Sequence, residues 1–273
     1  MEKENTTATG VQIWDKGTCL GVAEIKDGKW KFTGSELSPG EHIFRAVVST
    51  IQSSPRTVNI EAAVDLKAPH FRNADSIAPG AEAINYYNHQ TDGVVEIPDY
   101  GMQPGDTVRV SWKGRNITYH SEIQTVADPP TRLAFKISKY EVIDCINNSA
   151  VISYTLKRPP DPNTRESSAL RLKVDGHDFD LGPLTISSHH DNLRAYKQEQ
   201  FNSSSTARVR GVGTTTWESE SVPFNQDEYL NFPIDPNWIE VNKEKPVIFN
   251  WSLRLNKGDT DIYFSQILRI GEL

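Results

Sequence analysis

The 273-residue chain is poor in cysteine, with only Cys19 and Cys145, placed far apart in the sequence. There is no CxxC pair and no Cys/His cluster at zinc spacing. A disulfide framework and a structural zinc site are therefore excluded. Both thiols are expected to be buried and to pack as small hydrophobes. No run approaches eighteen apolar residues, so no helix is expected to enter a membrane. The opening MEKENTTATG has neither the apolar stretch nor the cleavage site of a secretory signal. Basic residues are in deficit, 29 Lys and Arg against 36 Asp and Glu, for a formal net charge of −7. That balance lacks the cationic footprint nucleic acid requires, so no nucleic-acid partner is expected. None of GxSxG, HExxH, GxGxxG or GxxxxGK[ST] occurs, so the chain is not expected to be an enzyme, and no cofactor is expected.

What the sequence does contain is strand signal. Short runs of Val, Ile, Thr and aromatics alternate with polar residues between Gly, Pro, Asn and Asp punctuation, and long helical periodicity is absent. In VRVSWKG, Val108, Val110 and Trp112 share one face while Arg109, Ser111 and Lys113 share the other. One face is buried and one is wet, which suits antiparallel sheets. At this length two or three domains are expected.

The stretches FKISKYEVIDCINNSAVISYTL (135–156) and FPIDPNWIEVNKEKPVIFNWSL (232–253) repeat one another. Phe135 and Phe232, Ile137 and Ile234, Ile152 and Phe249, Tyr154 and Trp251, and Leu156 and Leu253 are each 97 positions apart, as are Gly114 and Gly211. After a one-residue slip Leu170 meets Leu268 and Leu172 meets Ile270. The recurring positions are inward-facing and apolar, so the repeat reads as a structural sandwich unit. A shared active site would have kept polar residues instead. Trp112, Trp251 and Tyr154 fall on the inward phase and are expected in the core.

Upstream, IWDKGTCLGVAEIKDGKWKFT and LSPGEHIFRAVV read as strands joined by Lys-Gly and Asp-Gly turns. This frame resembles the central and C-terminal strands of bacterial Ig-like repeats of large surface adhesins. The middle stretch, with DGVVEIPDYGMQPGDTVRVSWKG, YEVIDCINNSAVISYTLKR and SSALRLKV, resembles the repeats of invasin-like and intimin-like surface proteins. The last stretch resembles it from residue 207 onward but lacks the PGD hairpin. The resemblance implies an all-β chain of tandem Ig-like antiparallel β-sandwich domains. These would be a partial Ig-like domain at 1–67, a complete repeat at 68–185 and a divergent repeat at 186–273. The first is expected to lack its opening strands, the chain being a piece of a longer polypeptide.

The same resemblance implies a non-catalytic structural or adhesive segment of a bacterial surface or secreted protein, extracellular, with a host-cell protein or glycan as partner. Loops at sandwich ends are free to vary and bind. Trp217, Tyr229 and Trp238 sit beside turns in the last unit, where aromatic faces can stack on sugars or anchor an interface, against the favoured reading of core or loop packing. A carbohydrate-binding module is the alternative, and it requires an exposed aromatic row there. An enzyme of unfamiliar sandwich type is a second, and it requires a polar cluster in a cleft. Asp175, Asp178 and Asp180 in VDGHDFDLG could hold calcium at a linker, against the reading of a solvated turn. His189 and His190 read as a solvated linker, since adjacent residues point apart. Lys257-Gly258-Asp259 reads as a turn. Sequons at Asn5, Asn116, Asn147 and Asn202 would matter only in a eukaryotic secretory route.

Overall fold

The computed structural model describes residues 10–34, 37–60, 65–86, 91–127, 132–176, 178–225, 228–256 and 258–273. Asn5 lies outside them. The chain divides into two units, Met1–Asp65 and Leu66–Leu273.

The first unit is one antiparallel sheet of β1 (Val11–Asp15), β2 (Thr18–Lys26), β3 (Lys29–Lys31), β4 (Gly40–Val48), β5 (Ile51–Gln52) and β6 (Arg56–Ile60). Its order is β3-β2-β1-β4-β5, with β6 also paired to β4. The β1–β2 and β2–β3 hairpin turns place two consecutive residues at positive φ, Lys16 and Gly17 (41° and 91°) and Asp27 and Gly28 (53° and 72°). That backbone twist matches the twist of the flanking strands. His42 locks β4 to β1. Its Nδ1 lies 2.5 Å from Asp15 Oδ2 and its Nε2 2.6 Å from the Ser38 carbonyl. Both neighbours are acceptors, an arrangement that favours the doubly protonated ring, and its pKa is raised, first by Ser38 and then by Asp15. Cys19 is exposed, contrary to the buried thiol expected, because it sits at the irregular start of β2 opposite Trp14 in a sheet with one open face. Cys145 is buried, and burial pushes its thiol to about 11.

The second unit holds two sandwiches. The first comprises β7 (His70–Phe71), β8 (Asp75–Ala78), β9 (Ala81–Asn85), β10 (Gly93–Ile97), β11 (Thr107–Lys113), β12 (Thr118–His120), β13 (Gln124–Thr125) and β14 (Leu133–Ile137), then α1 (Lys139–Ile143), β15 (Asn148–Lys157), β16 (Thr164–Glu166) and β17 (Leu170–Asp175). A three-stranded sheet β14-β10-β7 faces a large sheet β12-β11-β15-β17-β9-β8. The second sandwich comprises β18 (Thr185–Ile186), β19 (Asn192–Tyr196), β20 (Thr206–Val212), β21 (Thr216–Glu218), β22 (Val222–Pro223), β23 (Tyr229–Pro233), α2 (Pro236–Asn242), β24 (Val247–Arg254), β25 (Tyr263–Phe264) and β26 (Leu268–Ile270). Here β18-β19-β23 faces β21-β20-β24, with β25 and β26 both on β24. The class is all-β. One strand pair departs from the antiparallel expectation, since β9 runs parallel to β17; the parallel bridge of Leu181 to Ser265 in the second sandwich matches a different contact of the first, where the Leu66 carbonyl accepts the Ser168 N–H.

The repeat is visible strand by strand. Val110 pairs with Tyr154 and Val209 with Trp251, so β20 is the counterpart of β11. This places Gly211 opposite Phe249 where Trp112 lies opposite Ile152. Gly114 therefore corresponds to Gly213, two residues from the sequence match, because a loop deletion had been carried through the strand. Volume is exchanged across the pair. Trp112 is fully buried on its strand, whereas at Gly211 a Cβ would meet Phe249 at 2.8 Å.

Polar residues recur as well, where edge strands break. Each long central strand is bordered by a partner that breaks, as β12 gives way to β13 and β25 to β26. At each break a serine hydroxyl accepts the orphaned N–H. Ser121 serves Val110 (3.0 Å), Ser219 Val209 (2.9 Å), Ser167 Tyr154 (3.0 Å) and Ser265 Trp251 (2.9 Å). Each hydroxyl then donates to the next residue's carbonyl at 2.8 Å. A buried backbone N–H must be paired, which keeps these serines in place.

The PGD turn also has a counterpart without proline or glycine. Asp106 Oδ2 accepts from Gln103 N–H, and Ser205 Oγ accepts from Asn202 N–H, closing the same turn in FNSSST. Thus the second sandwich keeps strands the sequence pattern did not reveal. The two sites differ in charge. Asp106, wholly buried, is gripped by Arg158 through Nε and Nη2, both at 2.8 Å, whereas Ser205 donates to the Leu255 carbonyl at 2.9 Å. Burial alone would raise the Asp106 pKa, but the Arg158 fork and the Gln103 N–H outweigh it and hold it below the ordinary 3.8.

Asp106→Asn is expected to cost about 3–5 kcal/mol by stranding the guanidinium. The double change Asp106→Ser with Arg158→Leu, which installs the second sandwich's arrangement, should recover most of it, as read by chemical denaturation. Because the Asp106 pKa is depressed on folding, its contribution is present above 3.8 and is lost as pH falls through the lower folded value. Acid melting of the double variant should therefore be less steep than that of the parent.

Candidate functional site

Long helical patterning is absent from the sequence, yet each sandwich has one short helix at the same place. Ser138 caps α1 by accepting the Tyr140 N–H, and Asp235 caps α2 by accepting the Asn237 N–H, with Pro236 in the first turn. Both helices lead into a residue in the left-handed region, Asn147 (58°) and Glu244 (59°).

On α1 and its C-terminal cap, two carboxylates face the second sandwich. Glu141 receives Arg269 through Nη1 at 3.1 Å and Nη2 at 2.9 Å. Asp144 Oδ2 takes the same Nη2 at 3.3 Å, and its Oδ1 accepts the backbone N–H of Ile267 at 3.0 Å. Asp144 is 2% exposed and Glu141 7%. Burial raises the Glu141 pKa, and Arg269 opposes that shift. Beside them Tyr86 packs edge-on against Phe264, with centroids 5.1 Å apart. Arg115 steadies the end of α1 by donating to the Asp144 and Ile146 carbonyls at 2.8 and 2.7 Å. The two sandwiches are thus joined through a desolvated, bidentate contact, the strong form of ion pairing. A joint of this kind fixes orientation; it offers no nucleophile and no open coordination position.

The residues singled out from the sequence do not converge. Trp238 lies on α2, 6% exposed, with its indole N–H donating to the Thr215 carbonyl at 3.0 Å and its ring over Gly211. Trp217 is half-buried against it, centroids 6.4 Å apart. The exposed aromatic row that a carbohydrate-binding module requires is therefore not formed by these two. Tyr229 is different. It stands on the outer face of β23 beside Tyr196, centroids 5.7 Å apart, with the Arg194 guanidinium 4.9 Å from its ring. Tyr196 is 48% exposed, and the cross-strand register Tyr196–Tyr229 and Arg194–Asn231 sets these four on one face.

Asp175 pairs with Lys173 at 2.5 Å, Asp180 accepts from Asn147 at 3.2 Å, and Asp178 is exposed. Among the described residues no three His, Cys, Asp or Glu side chains are grouped to hold a metal ion. His189 and His190 form the tight turn between β18 and β19 rather than a linker, with His190 at φ 56°. Asp259 closes a turn onto Asn256 N–H at 2.9 Å, while Lys257 lies outside the described residues.

Three features of the candidate site escaped the sequence reading: the Glu141, Asp144 and Arg269 joint; Tyr196; and Arg194. The spacing Ser138-x-x-Glu141 is a helix-start signal that could have exposed the first. The Glu141 carboxylate departs from the usual use of that signal by reaching to Arg269.

No protein-family model matches the sequence, and no curated protein matches it significantly. Among the solved structures that align with the chain, three cover nearly all of it. One concerns host cell surface retention of a 1.5-MDa bacterial ice-binding adhesin, at TM-score 0.31 and 11% identity over 96% of this chain and 84% of that one. Another is a tetra-tandem repeat in the extending region of a large adhesion protein, at 0.31 and 12% over 98% and 68%. The third is a Ca2+-stabilized adhesin that helps an Antarctic bacterium reach out and bind ice, at 0.32 and 11% over 96% of this chain and 64% of that one. Superpositions this loose do not establish a common fold.

Asp144→Ala is expected to cost about 2 kcal/mol at the joint, the scale of a hydrogen bond to a charged group. In amide hydrogen exchange, protection of Ile267 should fall at least tenfold while that of Val110 and Val209 is unchanged. Equal loss at all three would mean general destabilisation instead.

Proposed function

We propose that the chain is a non-catalytic structural and adhesive segment of a bacterial surface or secreted protein, displayed extracellularly. The observation that carries this reading is the joint. Arg269 and the Ile267 N–H enter a buried pair of carboxylates on the preceding sandwich, so consecutive modules are coupled as a stiff rod rather than strung on a flexible linker. The "DG-W" turn and the "PGD" hairpin, quoted above as resembling surface-adhesin repeats, support it. A net charge of −7 disfavours nucleic acid. Among the described residues no helix is long and apolar enough to cross a membrane.

Binding in this proposal runs through the last sandwich, on the face of Tyr196, Tyr229 and Arg194. Exposed tyrosines beside an arginine are the side chains most used at the centre of protein interfaces. The carbohydrate-module reading loses its Trp217 and Trp238 platform but shares this face.

The test is adhesion of beads bearing the whole chain to cultured host cells and to a glycan panel. Adhesion is expected, reduced at least fivefold by Tyr196→Ala with Tyr229→Ala while the melting temperature is kept. Adhesion to no surface would remove the adhesive part of the proposal, and turnover of any panel member would contradict its non-catalytic part.

A further inference from the structure

Beside the joint lies a cleft of about 230 Å³ between the two sandwiches of the second unit. Its roof is Lys139 and Tyr140 of α1; its floor is the outward row of β20 and β24, with Arg208 and Arg210 across from Ser252 and Asn250. At roughly 30 Å³ per water, the space holds about eight waters, the scale of one small ring-sized ligand.

Three features set it apart from a solvated sheet face. Asn250 points outward on β24, yet it is only 5% exposed because the neighbouring sandwich covers it. Among the described residues no side chain or backbone group bonds its amide, and the amide lines the cleft, so its donors and acceptor are open to a ligand or water there. Second, three cations face one carboxylate. Glu218 is shared between Arg208 and Arg210, and among the described residues Lys139 makes no salt bridge, its charge lying near Glu218 and Asp92 without contact. The other nearby acids are engaged, Asp92 with Lys136 and Glu141 and Asp144 with Arg269. Third, Tyr140 Oη accepts from Arg210 Nη1 at 3.4 Å, which leaves its O–H directed to a further acceptor. The preceding sandwich has Ser111 and Ser153 where Arg210 and Asn250 stand, so the set is not part of the repeated framework.

We propose that this cleft binds a carboxylate-bearing sugar, the carboxylate meeting Lys139 and Arg210, and the ring hydroxyls meeting the Asn250 amide, Ser252 and the Tyr140 hydroxyl. Cations alone would suit any anion. A neutral amide and two hydroxyls among them, which both donate and accept, match the hydroxyls of a sugar ring better than an acidic peptide. The site shares no residue with the Tyr196 and Tyr229 face, so either can fail without the other.

The experiment is calorimetric titration of the full chain with glucuronic acid and with N-acetylneuraminic acid, alongside glucose and a glutamate-rich peptide. NMR of the Asn250 side-chain amide provides a second readout. Binding of one or both acidic sugars is expected, with glucose at least tenfold weaker, and Asn250→Ala and Lys139→Gln each lowering affinity at least tenfold without shifting the melting temperature. The Asn250 amide resonances should move on addition of the sugar. No binding of either acidic sugar into the millimolar range, binding unchanged in both variants, equal binding of glucose, or binding of the peptide in place of the sugars would each overturn the proposal.

Discussion

A backbone N–H buried at a domain boundary needs an acceptor, and Ile267 finds its own in the neighbouring sandwich. Asp144 supplies one oxygen to that amide and the other to Arg269, which is also forked onto Glu141. Removing any one of the three groups would leave a desolvated partner, so the sandwiches cannot swing apart cheaply. The arrangement is not symmetric between repeats. Where the first sandwich has Glu141 and Asp144, the second has Trp238, turned into its core, and Val241, exposed. The helix is the shared element; the socket is specific to one copy.

The repeated framework rests on a different constraint. Central strands longer than their neighbours leave an N–H wherever the edge strand breaks, and four serines supply the missing acceptor. Within that frame, side-chain volume is free to move. Trp112 on one strand gives way to Gly211, with Phe249 and Trp238 closing the space from the opposite strand and the helix. A buried ion pair in one copy becomes a hydroxyl and a carbonyl in the other. Such exchanges change which residue fills a buried position while the inward phase of the strand is kept.

That contrast also sets what was legible. The alternation in VRVSWKG placed Val108, Val110 and Trp112 in the core, and the Lys-Gly and Asp-Gly pairs placed the first unit's hairpins, because both signals are local. The short helices were hidden by brevity, despite the Ser138 and Glu141 spacing that marks the start of one. The turn in FNSSST was hidden because Ser205 performs by hydrogen bonding what Asp106 performs in the PGD turn. For Trp217 and Trp238 the packed reading holds over the exposed one, and the sequence does not show that Gly211 opens the hole that receives Trp238. Of the named aromatics Tyr229 lies on an outer face, and its partner Tyr196 comes from a strand with little periodic signal. The joint was illegible for a simpler reason: Glu141 and Arg269 meet only through tertiary structure.

Stiffness at the joint is therefore the property on which the account stands. Residual dipolar couplings measured on the whole chain report the alignment of each sandwich separately. A single alignment tensor for residues 66–175 and 181–273 is the expected result. Two tensors differing in magnitude and orientation would mean that the modules move independently, and would contradict a rigid joint.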